Sequence, residues 1–194
     1  MTGKGRSGWH RLWLGLALLW CALWTAPALA QDTLVITPQV SELSLSPHTR
    51  YFHDTDAQGG LRDAERWLAQ GRFAALPGGS PEFGFQPGAF WFHARVVNRG
   101  NPETRWLLVQ GYALSDRIDL YARYPDGRVT FQAGGDHLPF SARSIRDRHP
   151  NFWLDLPENQ PVDVFVRVRS ESSMQVPLWL YTTVGFAEQS RDAQ

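Results

Sequence analysis

From residue 89 onward the chain is built of short stretches in which apolar and polar positions alternate. In "AFWFHARVVN" (89–98) Phe90, Phe92, Ala94 and Val96 fall on one face, with Trp91, His93 and Arg95 on the other. "RWLLVQGYA" (105–113) is a more continuous apolar run. In "GYALSDRIDLYARYPDG" (111–127) Ile118, Leu120, Ala122 and Tyr124 alternate with Arg117, Asp119, Tyr121 and Arg123. "NFWLDL" (151–156) sets Phe152, Leu154 and Leu156 against Trp153, and "VDVFVRVRS" (162–170) sets four valines against Phe165, Arg167 and Arg169. "TLVIT" (33–37) and "VPLWLYTTV" (176–184), which carries Trp179 and Tyr181, complete the strand set. A period of two over four to eight residues is the signature of a half-buried strand.

Between these runs stand turn residues. Pro125, Asp126 and Gly127 separate two alternating segments and predict a hairpin. One segment, 61–71, has helical spacing instead: Leu61, Ala64, Trp67 and Leu68 share a stripe and Gly71 suits the position past a helix end. The Pro/Gly-rich "ALPGGSPEFGFQPGAF" reads as loop. Short strands at this spacing predict an all-β, antiparallel sandwich or barrel with one short helix between the first strand and the main strand set.

The beginning of the chain changes the composition that matters. Lys4, Arg6 and Arg11 precede an apolar run from Leu12 to Trp24, which ends in "TAPALA". That is the pattern of a cleavable export signal over residues 1–30, and the run is too short to span a bilayer. Residues 31–194 are then the mature domain, of a size for one core. Cleavage removes Cys21, the chain's one cysteine, and with it any disulfide. It leaves 16 of the 19 basic residues against all 19 acidic ones, a net charge of −3. No electrostatic footprint for nucleic acid follows from that balance.

The strand faces turned away from the apolar set carry the candidate chemistry. Trp91, Arg95, Tyr121, Arg123, Trp153, Arg167, Arg169 and Trp179 all fall on such faces, and Arg146 and Arg148 (with Arg143 and His149) lie in the loop before 151–156. Should these strands share a sheet, rings would stack on the apolar face of a sugar and guanidinium forks would bind hydroxyls or a carboxylate. Two plainer readings compete: arginines lying over aromatic rings in water, and tryptophans in a second core beneath the helix and loops.

Other chemistry is weaker. Asp54, Asp56, Gln58, Gly59, Leu61 and Glu65 fall at EF-hand offsets, but Gln58 is a poor ligand and no helix enters the loop, so neither a metal nor a cofactor is expected. No nucleophile elbow, H-E-x-x-H or P-loop occurs, and no catalytic residue is assigned.

"FWFHARVVN", "WLLVQGYALSDRIDLYARYPDGRV", "HPNFWLDLP" and "VRVRSESSMQVPLWLYTTVGFAE", in that order, resemble the type 2 extracellular domain of bacterial seven-transmembrane receptors with diverse intracellular signalling modules. The resemblance covers 34–188 and includes the lead-in "YFHDTDAQGGLRDAERWL". It implies a jelly-roll β-sandwich similar to carbohydrate-binding modules and a periplasmic sensor role without catalysis. With the aromatic and arginine face it leads to the expectation of a small ligand, a carbohydrate or a carboxylate. The chain stops at "FAEQSRDAQ", about where such a receptor's first membrane helix would begin, which fits a stand-alone domain, a truncated product or a fragment, with a membrane-embedded receptor as one partner the resemblance implies. The alternative is an interaction module whose aromatic and arginine face forms a homodimer or docks on that partner; a secreted glycan hydrolase ranks below both.

Overall fold

The computed structural model describes residues 33–139 and 144–192; the expected leader and Arg143 lie outside them. In chain order the strands are β1 (Leu34–Ile36), β2 (Glu42–Ser44), β3 (Arg50–Asp54), β4 (Ala74–Ala75), β5 (Glu82–Gly84), β6 (Ala89–Asn98) and β7 (Arg105–Gln110). Then come β8 (Arg117–Arg123), β9 (Val129–Gly134), β10 (Asn151–Asp155), β11 (Pro161–Arg169), β12 (Met174–Gln175) and β13 (Leu178–Tyr181). Helix α1 (Leu61–Ala69) follows β3 and helix α2 (Thr183–Asp192) follows β13.

Two sheets form a sandwich. The first has the order β4-β3-β6-β11-β8-β9, with β1 added beside the distal part of β6, and the second has the order β10-β7-β13-β2. Every pairing is antiparallel except β1 with β6. The chain crosses between sheets at β6–β7, β7–β8, β9–β10 and β10–β11, as a jelly roll does.

The alternation explains the packing. Phe90, Phe92, Ala94 and Val96 of β6, with Ile118, Leu120 and Ala122 of β8 and the valines of β11, meet Trp106, Leu108, Phe152, Leu154, Leu178 and Leu180 of the second sheet. All lie in one buried cluster. Two further clusters sit outside the sandwich. Ala64 and Phe73, with the partly buried Leu61, Trp67 and Leu68, pack on Trp91 and Phe165 on the outer face of the first sheet. Phe186 of α2, with Ile145, packs on Leu107, Val109, Trp153, Trp179 and Tyr181 on the outer face of the second. The order of layers is helix, sheet, core, sheet, helix.

Helix α1 starts where the apolar stripe predicts, the Asp63 carboxylate accepting the Gly60 N–H at 3.0 Å. Four expectations change. Three strands, not one, precede α1, and β3 already pairs with β6. The Pro/Gly-rich stretch expected as loop carries the short strand β5. The run 105–113 ends as a strand at Gln110, whose buried side chain donates to Ser115 Oγ at 3.1 Å and Gln175 O at 2.8 Å while the chain turns. The run 176–184 is not one strand: β13 ends at Tyr181 and α2 begins, capped by Thr182 Oγ1 accepting the Gly185 N–H at 3.0 Å. Gly185 is the reason the helix fits. A Cβ there would lie 2.4 Å from the Ser41 carbonyl oxygen.

Candidate functional site

Register decides what the outer face of the first sheet can do. Across β6, β11 and β8 the rows are Arg95–Asp163–Arg123, His93–Phe165–Tyr121 and Trp91–Arg167–Asp119, and beyond them Arg169 stands opposite Arg117. Six of the expected binding residues therefore share a sheet, but most are committed to neighbours.

Trp91 is 0% exposed, sealed under α1 with Phe165, so its ring is a core element and not a surface platform. Alternation put it on the second face; the helix then covered that face. Arg95 forks onto Asp163 through Nε and Nη2, both at 2.9 Å, and His93 Nε2 lies 2.9 Å from the same carboxylate. Burial would raise the Asp163 carboxyl, but the His93 and Arg95 hydrogen bonds outweigh it and hold it down at about 2. The same hydrogen bond to Asp163 raises Arg95. Arg123 is ion-paired to Glu65 of α1. Arg167 donates from Nη2 to the Ala57 carbonyl at 2.7 Å and from Nη1 to Asp119 at 3.3 Å. Tyr121 packs between Trp91 and Phe131, its phenol raised by burial and then by Asp119.

The remaining four lie elsewhere. Trp153 and Trp179 are on the outer face of the second sheet, the former beneath the Arg105 guanidinium at 4.6 Å. Arg146 and Arg148 border a cleft of about 710 Å³ between their loop and α2. The expected single aromatic and arginine face is thus divided between two opposite faces of the sandwich. A sandwich has two outer faces, and alternation within one strand cannot say to which a polar position belongs. In the Asp54–Glu65 loop Asp54 Oδ2 accepts the Gly59 N–H at 2.8 Å and Glu65 pairs with Arg123.

An open site is built where β8 begins and β11 ends. A cleft of about 630 Å³ is lined by Phe85, Asp116, Arg117, His137, Arg169 and Glu171, with Gln86 to Gly88 and Ser170. Arg117 and Arg169 face each other across the strand pair. Arg117, which lines the cleft, gives Nε to Asp119 at 3.0 Å, and its terminal nitrogens have no hydrogen-bond partner among the described residues. Arg169 is exposed and makes no hydrogen bond or ion pair among the described residues. Asp116 Oδ2 accepts the Glu171 N–H at 2.7 Å, and its Oδ1 lies 3.8 Å from His137 Nε2.

Phe85 supplies the apolar wall and is 78% exposed, which a Phe tolerates only at a cost in hydration. Its loop is fixed at both the side-chain and backbone level. His53 Nε2 donates to the Pro87 carbonyl at 2.7 Å. Gly88 has φ 88° and approaches β3 so closely that a Cβ would sit 2.5 Å from the Asp54 carbonyl oxygen. Of this cleft only Arg169 was expected as a ligand residue. Phe85, Asp116, His137 and Glu171 come from loops whose positions depend on the fold, although an aromatic set among Pro and Gly in "EFGFQPG" is a usable signal.

Among the described residues no helix is long and apolar enough to cross a membrane. No curated protein matches the chain. The family model described as 7TMR-DISM extracellular 2 matches residues 46–182, which run from before β3 to the end of the second sheet, and the chain belongs to that family of receptor extracellular domains.

Proposed function

We propose that this is a non-catalytic periplasmic sensor domain, exported by the leader over residues 1–30, that binds a small ligand in the cleft at the β8–β11 end. The ligand class is a carbohydrate or small carboxylate, and the output belongs to a membrane-embedded receptor. One observation carries the reading: a pinned loop holds an exposed Phe85 in the same cleft of about 630 Å³ as Arg169, which makes no ion pair among the described residues. Ligand sites combine apolar area with a few convergent polar groups, largely preformed.

Thermal-shift and calorimetric screening of the purified chain with sugars and small carboxylates tests it. A ligand that raises the melting temperature of the wild type but not of Phe85→Ala supports the cleft. A complete screen without a stabilising ligand removes the reading.

A second reading is an interaction module. Phe131 and Val129, 53% and 38% exposed, lie on β9, an edge strand of the first sheet. Exposed apolar side chains on an open edge are a pairing surface. A stable homodimer in light scattering that Phe131→Ser converts to monomer would favour this reading.

A further inference from the structure

We infer that the ligand of the end cleft is an acidic saccharide, a sugar ring that carries a carboxylate. The inference rests on the cleft being the binding site and names the class of molecule it takes.

The argument begins with charge. Like charges directly opposite on neighbouring strands repel, and Arg117 and Arg169 are such a pair. The nearest carboxylate cannot neutralise both. Asp119 is 3% exposed and its oxygens already receive Arg117 Nε and Arg167 Nη1. Two guanidiniums with unused forks at one mouth match a carboxylate, which accepts paired N–H bonds in their plane.

The acids that line the same cleft make the site more selective. Glu171 also lines the cleft, and Asp116 is held beside it by the Glu171 N–H. Carboxylates only accept hydrogen bonds, so these two want hydroxyl donors and repel a second anionic group. A dicarboxylate satisfies the arginines and offends the acids. A neutral sugar satisfies the acids but offers the arginine forks no charged acceptor. A sugar acid does both, and its C–H face covers Phe85. The cleft volume suits one or two such rings.

Calorimetric titration of the full chain with D-glucuronate and D-galacturonate, against glucose and galactose and against succinate, tests this. The uronates are expected to bind about tenfold or more tightly than either control, with the margin over neutral sugars shrinking as salt rises. Arg169→Gln should lower uronate affinity about tenfold while leaving neutral sugars and the melting temperature nearly unchanged, because Arg169 has no partner to lose among the described residues. Phe85→Ala should weaken both kinds of sugar. Neutral sugars binding as tightly as uronates, or Arg169→Gln without effect, overturns the acidic class but leaves the cleft as the site if Phe85→Ala still abolishes binding. Succinate equalling the uronates overturns the saccharide class. Binding of none of these probes, when the wider screen finds a ligand that needs Phe85, rejects only the inference; an empty screen rejects the site as well.

Discussion

Arg117 and Arg169 stand directly opposite each other on β8 and β11, and the carboxylate that Arg117 holds, Asp119, is shared with Arg167. In the empty domain this pair is a small liability. Arg169→Ala is expected to leave stability unchanged or raise it by about 0.2–1 kcal/mol at low salt, with the difference fading near physiological ionic strength. Urea denaturation at two salt concentrations reads this directly; a clear loss of stability would show that Arg169 has a structural partner.

The His93–Asp163–Arg95 group sets an acid limit. The Asp163 carboxyl ionises at about 2 when folded, against an ordinary 3.8. Because the folded value is the lower one, its contribution is complete above the ordinary value and disappears as pH falls from about 4 to about 2. We expect Asp163→Asn to cost about 1–2 kcal/mol near neutral pH, allowing for partial exposure, and to match the wild type below that window. Denaturation curves taken across the pH range check it, and a constant gap at all pH values would contradict it.

Trp91→Ala and Trp153→Ala should separate cleanly. Trp91 is fully buried beneath α1, so its truncation should cost about 3–5 kcal/mol and loosen the helix. Trp153 is half-buried under Arg105, and its loss should cost less than half as much. Equal costs would mean that the outer cores are not as different as their burial.

Gly88→Ala tests the scaffold of the cleft. The new Cβ would need to sit 2.5 Å from the Asp54 carbonyl oxygen at a φ of 88°. A cost of about 1–3 kcal/mol and displacement of the Phe85 loop are expected. A melting temperature and a binding isotherm together decide it; a variant that melts and binds as the wild type would show the loop to be freely adjustable.

The long strands of the sandwich were legible because alternation is strong in β6, β8 and β11: Phe90, Phe92, Ala94 and Val96, Ile118, Leu120 and Ala122, and the valines of β11 are all buried as their period predicts. The helix α1 was legible from its stripe. Helix α2 was not, since Thr183, Val184 and Gly185 disfavour helix locally and the Thr182 cap is recognisable only once Ser41 is known to press on Gly185. The cleft was least legible. Its parts come from the loop before β6, the start of β8, the turn after β9 and the end of β11. Only the pairing register brings Arg117 opposite Arg169, and sequence period fixes faces, not registers between distant strands.

Asp119 gives the first sheet a property that neither of its ends has alone. It joins Arg117 at the cleft to Arg167, whose other nitrogen holds the Ala57 carbonyl just ahead of α1. Two guanidiniums divide one carboxylate, so loosening either strengthens the hold on the other. The rim of the cleft and the approach to the helix thus behave as one electrostatic balance, and the energetic effects of changing Arg117 and Arg167 will not add.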